Sequence, residues 1–211
     1  VDPFRWLSFY SQVRSWMGYD KAQDYKSASL LNQLLGGFKE EELPSLKGEE
    51  VAVVGAGPSL TSLRDFQGRV IIAADGASNY LQEIGLTPDI VVTDLDGIDA
   101  FPDSLYVVHA HGDNVHLLHK VSKMRRVIGT CQVDPFGRLK VLGGFTDGDR
   151  AIVIARALGA ERVRLYAMDF DSPFIGKYSK PHFSEDVPVT PIKRRKLEIA
   201  RRITQWALSS L

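Results

Sequence analysis

Ile90-Val91-Val92-Thr93-Asp94-Leu95-Asp96-Gly97 is a short apolar run that stops at two carboxylates on alternate positions and then a glycine. In a strand, side chains at i and i+2 share a face, so a strand reaching Asp96 points both acids the same way. Two like charges at that spacing repel unless a cation or a proton lies between them. Taken alone, the stretch reads equally well as an Asp-rich turn after a buried strand. Three other apolar runs end alike: Val70-Ile-Ile-Ala-Ala-Asp75-Gly76, Leu105-Tyr-Val-Val-His109-Ala-His111-Gly112-Asp113-Asn114 and Val163-Arg-Leu-Tyr-Ala-Met168-Asp169. A turn explains one such ending more comfortably than four. As parallel neighbours in one sheet, the runs would bring their carboxyl ends to a single edge, where open α/β folds bind ligands.

Outward from these runs the chain alternates strand, loop and helix. Strands are expected at residues 51–54, 70–74, 90–93, 106–110, 126–128 and 163–167, with helices at 77–84, 115–124 and 149–158. Near-continuous apolar strands alternating with helices predict an α/β, Rossmann-like fold, a mostly parallel sheet of about six strands covered on both faces. Residues 1–45 differ. Phe4, Leu7, Phe9, Tyr10, Val13, Trp16 and Met17 approximate helical spacing, and a second helix runs from Asp20 to about Leu35 before Gly36-Gly37. The expected organisation is an N-terminal helical segment, 1–45, followed by a catalytic domain, 46–211, that closes with a C-terminal helix. The aromatic stripe reads as packing surface, either on the core or in a homodimer contact.

With 211 residues and 44% hydrophobic content, the chain can bury a sizeable core. Lys plus Arg and Asp plus Glu both number 26, so no global basic field points to nucleic acid or a membrane surface. A single cysteine, Cys131, excludes an intramolecular disulfide framework. No apolar run approaches the ~18 to 20 residues of a membrane span, and no signal-peptide pattern opens the chain, so a cytoplasmic location is expected.

Two glycine-rich stretches carry candidate chemistry. Gly55-Ala56-Gly57-Pro58-Ser59 follows a strand directly, where a glycine turn lets phosphate oxygens approach backbone N–H groups. It resembles half of a dinucleotide fingerprint, with Leu60 in place of the third glycine and Asp75 near the position of a ribose-binding acid. An ordinary strand-to-helix turn is the alternative. Gly143-Gly144-Phe145-Thr146-Asp147-Gly148-Asp149-Arg150 opens a helix that Thr146 or Asp147 can cap, with acids able to hold magnesium and an arginine able to meet phosphate.

Four of the five histidines fall between His109 and His119, a clustering that admits zinc; His116 and His119 equally suit a helix surface, and His111 and Asp113 a ligand-facing loop. Residues 170–191 lack periodicity and read as a lid or a poorly ordered loop, with His182 inside it. The following Lys193-Arg194-Arg195-Lys196 is either a solvated helix face or a source of cations that reach across to balance a triphosphate.

Gly55 to Leu60, Val92-Thr-Asp94-Leu-Asp96-Gly97, His109 to Asn114 and Gly144 to Ala151 together resemble the archaeal MptE-like 6-hydroxymethyl-7,8-dihydropterin diphosphokinases over about residues 45–205. A more remote similarity, through Ala74-Asp75-Gly-Ala77, Pro88-Asp89, the Asp94/Asp96 pair and Thr146-Asp147, joins the chain to thiamin pyrophosphokinase. That enzyme continues into a β-sandwich where this chain ends in a basic helix, which argues against thiamin as substrate. The resemblance implies transfer of diphosphate from ATP to the hydroxymethyl group of a reduced pterin, releasing AMP, in methanopterin or folate-type biosynthesis. It implies Mg2+ on Asp94 and Asp96, and Asp147 beside them as a third catalytic acid. Gly55, Gly57, Pro58, Ser59, Asp75, Gly76, His111, Asp113, Asn114, Thr146, Asp149 and Arg150 are then candidates for binding ATP or pterin. Three other readings stand beside it: a nucleotide-sugar-dependent glycosyltransferase, a nicotinamide-dinucleotide oxidoreductase drawn from Gly55, Gly57 and Asp75, and a noncatalytic nucleotide-binding module. The Asp94/Asp96 pair and the Thr146 to Arg150 motif favour metal-phosphate chemistry, which hydride transfer does not require.

Overall fold

The computed structural model describes residues 1–211. Two helices open the chain, α1 (Pro3–Met17) and α2 (Lys21–Leu35), each started by an aspartate, Asp2 or Asp20, whose carboxylate accepts from first-turn N–H groups. Gly18 turns the chain between them in the left-handed conformation. The strands are β1 (Glu50–Val54), β2 (Val70–Ala74), β3 (Ile90–Thr93), β4 (Leu105–Ala110), β5 (Arg126–Cys131) and β6 (Arg162–Tyr166). Between them lie α3 (Ala77–Glu83) after β2 and α4 (Asp147–Ala157) before β6. A small ribbon, β7 (Phe174–Ile175) with β8 (Val187–Pro188), precedes the 20-residue α5 (Pro191–Ser210).

All six long strands pair in parallel, in the order β5-β4-β3-β2-β1-β6. The chain steps from β1 outward to β5 and then returns to the other side of β1 to lay down β6. With right-handed connections, that reversal puts α4 on the face opposite α3, so helices cover both faces as the alternating pattern predicts. It also creates a topological switch point between the carboxyl ends of β1 and β6, where neighbouring loops part and leave a crevice. The β-branched centres of β1, β3 and β4 are buried on both faces, and 46 apolar residues form one core.

Several expectations change in detail. The spacing at 115–124 predicted an α-helix; the chain instead forms a 3-10 stretch, Gly112–Lys123, entered through a reciprocal cap between His111 and Asn114. Residues 170–191 are not structureless, since the β7/β8 ribbon and a 3-10 turn at Lys177–Ser179 lie within them. Of the stripe expected on α1, Tyr10 and Val13 are buried and Leu7, Phe9 and Met17 pack against the core, whereas Phe4 and Trp16 are exposed and Trp6, outside the stripe, is buried. Helix α2 seats Asp24, Ser27, Ala28, Leu31 and Leu35 against the 3-10 stretch, β4 and β5, so both N-terminal helices contribute to the common core. No helix is long and apolar enough to cross a membrane.

Gly144 is the glycine on which the approach to α4 depends. Its φ is +89°, and an added Cβ would lie 2.2 Å from the Arg150 Cα and 2.7 Å from the Arg150 nitrogen. Neither the left-handed backbone nor the rigid helix turn can yield cheaply. Gly144→Ala is expected to cost about 3 kcal/mol, lowering the melting temperature by roughly 6–12 °C. Gly37→Ala serves as the control, because its Cβ would meet only an ordinary contact at 3.6 Å. Thermal unfolding followed by circular dichroism checks both; equal melting temperatures would contradict the steric argument.

Candidate active site

The carboxyl ends of the six strands open onto one cavity of about 640 Å³. Its floor is acidic. The carboxylate oxygens of Asp75, after β2, and of Asp94 and Asp96, after β3, come within 4.8 Å of one another. The pleat is not what aligns the last two. Strand β3 ends at Thr93, and the chain turns through Leu95 at a φ of +77°. The turn is held by the Leu95 N–H donating to Thr93 Oγ1 at 2.7 Å and the Asp96 N–H donating to Asp94 Oδ1 at 3.3 Å. Asp75 and Ala167 also have positive φ, at 48° and 51°. Three non-glycine residues just past strand ends therefore hold a conformation costing about 1–2 kcal/mol each, Asp75 and Leu95 at the acidic floor and Ala167 against the Gly55–Gly57 loop.

The neighbours of the floor set its charge. Burial raises the Asp75 carboxyl well above the ordinary carboxylate range, and Asp94, Asp147 and Asp96 add to the rise; Thr93, donating at 2.7 Å, opposes it. Burial also works against ionisation of Asp94, yet the hydrogen bond and charge of His111 (3.3 Å), with Lys180 behind, carry its carboxyl far below the usual range. Asp96 and Asp147 are raised, chiefly by burial and then by Asp94. Asp94 is thus the fixed negative charge of the group. Asp147, at the start of α4, accepts from the Asp94 N–H at 3.3 Å and from Arg150 at 2.8 Å, which ties α4 to the β3 turn.

Cations face these acids from the C-terminal part of the chain. Lys180, between the ribbon strands, forms an ion pair with Asp96. Lys193 and Lys196 of α5 also line the cavity, while Arg194 turns away to bind the carbonyls of Phe170 and Ser172. Burial lowers the pKa of Lys193, helped by the charges of Lys180 and Lys196 and opposed by Asp96 and Asp94. Of the basic run, two side chains therefore reach the site.

The other sequence candidates divide. Gly55, Gly57, Pro58, Asp75, His111, Asp113, Thr146, Asp147 and Arg150 line the cavity, as do Asp94 and Asp96. Asn114 and Asp149 do not, which corrects the expectation that they face a ligand. Asn114 is buried and spends its amide on the His111 N–H, the carbonyls of Asp94 and His109, and the Ser27 hydroxyl. Asp149 is buried at α4, accepting from the Phe145 and Thr146 N–H groups and the Thr146 hydroxyl. Gly76 is also behind the wall, and a Cβ there would strike the Tyr178 carbonyl.

Gly55, Gly57 and Pro58 reach the cavity, but Ser59 is not in its lining. Their strand leads into a five-residue 3-10 helix rather than an α-helix, and of the loop N–H groups all but that of Ala56 have protein acceptors. Gly55 donates to Tyr166, Gly57 to Ala167 and Ser59 to the Asp169 carboxylate, so the loop closes the switch point onto β6. Zinc finds no set of ligands: His109 has both ring nitrogens bonded, to Thr130 and Gln132, and His119 bonds its own turn. His182 packs against Phe183, 4.7 Å between ring centroids, outside the cavity lining. Sequence reasoning missed Asp24, Gln132 and Lys180, all of which line the cavity.

Three carboxylates form a hard-oxygen donor set suited to Mg2+, Ca2+ or Mn2+ rather than to a soft-ligand metal. The Lys180 ammonium already placed on Asp96 shows that the set accepts positive charge. In metal-free protein, Asp75→Asn is expected to stabilise the fold by about 1 kcal/mol, or roughly 2–4 °C, by removing one of the crowded charges. The sign follows from the raised pKa: ionisation of Asp75 costs stability as pH rises, so the gain appears near neutral pH and fades in acid. Melting curves in chelator at two pH values test it, and a lower melting temperature for the variant at neutral pH would refute it.

Fold and site together define an α/β protein of the phosphate-transfer class: a doubly wound sheet with hard oxygen ligands at its switch-point edge and lysines opposite them. The model of the family described as 6-hydroxymethylpterin diphosphokinase MptE-like matches residues 19–173. The chain is 41% identical over 213 residues to the 6-hydroxymethyl-7,8-dihydropterin pyrophosphokinase of Pyrococcus furiosus, covering 95% of this chain and 92% of that one. It is 40% identical to the protein of the same name from Methanothermobacter thermautotrophicus, covering 95% and 93%, and 37% identical to that of Methanocaldococcus jannaschii, covering 98% and 95%. The chain belongs to the MptE-like family.

Proposed function

We propose that this chain transfers the terminal diphosphate of ATP to the hydroxymethyl group of 6-hydroxymethyl-7,8-dihydropterin, releasing AMP. The observation that carries the reading is the opposition of Asp75, Asp94 and Asp96 to Lys180, Lys193 and Lys196 across one cavity. A polyphosphate with its metal is the ligand that satisfies both walls. The near full-length similarity to three archaeal proteins named for this activity supports the choice of pterin over sugar or thiamin.

Asp75, Asp94 and Asp96 would hold Mg2+, which when bound offsets charge on the β- and γ-phosphates and on the departing AMP. The chain's own residues supply the remainder. Lys193 and Lys196 take phosphate oxygens as point charges, and a bound anion offsets the burial that disfavours the Lys193 charge. Arg150, 2% exposed and bonded to Asp147 and the Gly144 carbonyl, fixes the Asp147 carboxylate under the Asp94 turn. His111 keeps Asp94 ionised and orients it toward the cavity. In-line attack by the pterin hydroxyl on the β-phosphorus then needs positioning more than covalent help.

Incubation with ATP, Mg2+ and reduced hydroxymethylpterin tests the proposal through the nucleotide released. AMP with a diphosphorylated pterin is the expected outcome. ADP would indicate a single-phosphate kinase instead, and no product from folded protein would reject both.

A further inference from the structure

The cavity extends away from the acidic floor toward the N-terminal helices, and there its wall is a buried polar chain. Thr130 Oγ1 bonds His109 Nδ1 at 2.9 Å, and His109 Nε2 bonds Gln132 Oε1 at 3.2 Å. Gln132 Nε2 donates to Asp24 Oδ1 at 3.1 Å, and the Gly112 N–H donates to the same oxygen at 2.9 Å. Asp24 Oδ2 receives only the Tyr10 hydroxyl, at 3.4 Å. Asp24, His109 and Gln132 are 2%, 4% and 7% exposed, yet all three line the cavity.

Asp24 is the anomaly in this chain. It sits on the buried stripe of α2, beside Ser27, Ala28 and Leu31, with no Lys or Arg paired to it. A buried carboxylate without a cation is costly, and an asparagine would accept the Gly112 N–H as well. Asp24 stands in the first turn of α2, where the helix end favours an anion, and its Oδ2 keeps acceptor capacity that the Tyr10 hydroxyl does not fill. The orientation of Gln132 is set by Asp24, whose carboxylate accepts only and so takes the amide NH2, leaving Oε1 beside His109 Nε2. One hydrogen of that NH2 goes to Asp24 Oδ1 and the other has no protein acceptor. The wall thus presents a donor on Gln132 next to an under-used acceptor on Asp24.

We infer that Asp24 and Gln132 form the subsite that reads the 2-amino-4-oxo pyrimidine edge of the pterin, making α2 part of the active site. This rests on the diphosphokinase reading proposed above. The edge presents an acceptor at O4 and donors at N3–H and the 2-amino group, the complement of a Gln132 N–H beside an Asp24 carboxylate. His111 lies between this wall and Asp94, bonded to the latter and 6.2 Å from the His109 ring. A bicycle anchored at Asp24 and passing His111 carries its opposite end, the 6-hydroxymethyl group, to the acidic floor.

The test uses 6-hydroxymethylpterin and its 2-oxo counterpart, 6-hydroxymethyllumazine, titrated into the full chain with Mg2+ and a non-hydrolysable ATP analogue and followed by ligand fluorescence. The wild type should prefer the pterin by ~100-fold, since the 2-oxo group faces a carboxylate. Asp24→Asn should weaken pterin binding by a similar factor and bring the two ligands to parity or reverse them, because an asparagine amide donates to the 2-oxo group. Affinity for the ATP analogue should stay within about twofold. Wild-type protein that binds both compounds equally overturns the inference without needing a variant, as does Asp24→Asn with unchanged discrimination. Wild-type protein that binds neither overturns the pterin reading itself.

Discussion

Asp94→Asn is expected to lower kcat/KM for diphosphate transfer by about three orders of magnitude or more while leaving the fold intact. The argument starts from the asymmetry of the acidic floor. Asp75, Asp96 and Asp147 are all pushed toward the protonated form, first by burial and then by Asp94. Asp94 alone is driven the other way, by His111 and Lys180. It is the one carboxylate of the group whose charge the protein secures before any ligand arrives, so it contributes most to a bound cation. Asparagine keeps the shape and its single oxygen can still accept from the Asp96 N–H, so the turn is retained while the charge and the bond to His111 are lost together. A loss of three decades corresponds to about 4 kcal/mol of transition-state stabilisation, the scale for removing a preorganised charge at a phosphate centre. Asp96→Asn should lose less, because Lys180 already neutralises that carboxylate. Steady-state rates with AMP as the measured product, alongside a melting curve, decide the matter. Activity of Asp94→Asn within threefold of wild type would remove Asp94 from the metal site.

The mostly parallel sheet and the convergence of the acids were legible because both follow from local pattern. Short β-branched runs that each end in Asp or His can be satisfied together by a parallel sheet whose carboxyl edge is a site, and Asp75, Asp94 and His111 lie there. What misled was treating chemistry-bearing residue types as ligands wherever they occur. Asn114 and Asp149 belong to reciprocal helix caps, His111 with Asn114 and Thr146 with Asp149, and the three-residue spacing of each pair was the available signal. The alternate spacing of Asp94 and Asp96 picked out two acids that do converge, but a turn at Leu95 aligns them and not the pleat.

The residues that sequence reasoning missed owe their position to long-range contacts. Asp24 meets Gly112 and Gln132 across separations of 88 and 108 residues, which no local pattern encodes. One clue existed: a carboxylate at 24 shares the stripe of 27, 28, 31 and 35, and an acid on the apolar face of a helix needs a reason to be there. Lys180 lies in a segment without periodicity, and its role depends on how the β7/β8 ribbon folds over the cavity. Gly176 there packs so closely on the Ala56 carbonyl and Gly57 that only a glycine fits, which ties the ribbon to the switch-point loop.

That ribbon leads to the second large effect, Lys180→Met, for which metal binding and turnover should move in opposite directions. The Lys180 ammonium rests on Asp96, and although burial disfavours its charge, Asp96, Asp94 and Asp75 raise its pKa on balance. It therefore occupies the position of a resident cation in the ligand-free protein, and any divalent ion must displace it. Methionine retains the stem's packing and removes the competitor, so Mg2+ or Mn2+ titrated into nucleotide-free variant should bind about tenfold tighter than to wild type. With ATP present the displaced ammonium has a new partner, the phosphate chain between the acidic floor and Lys193, and there it stabilises charge that grows as AMP leaves. Losing it should reduce kcat/KM by roughly 100-fold. Calorimetric metal titration beside steady-state kinetics separates this exchange from simple structural damage, which would weaken both. If the variant bound metal no tighter than wild type, Lys180 would be an ordinary surface partner of Asp96; if turnover were also unchanged, the lysine wall would have no part in handling phosphate.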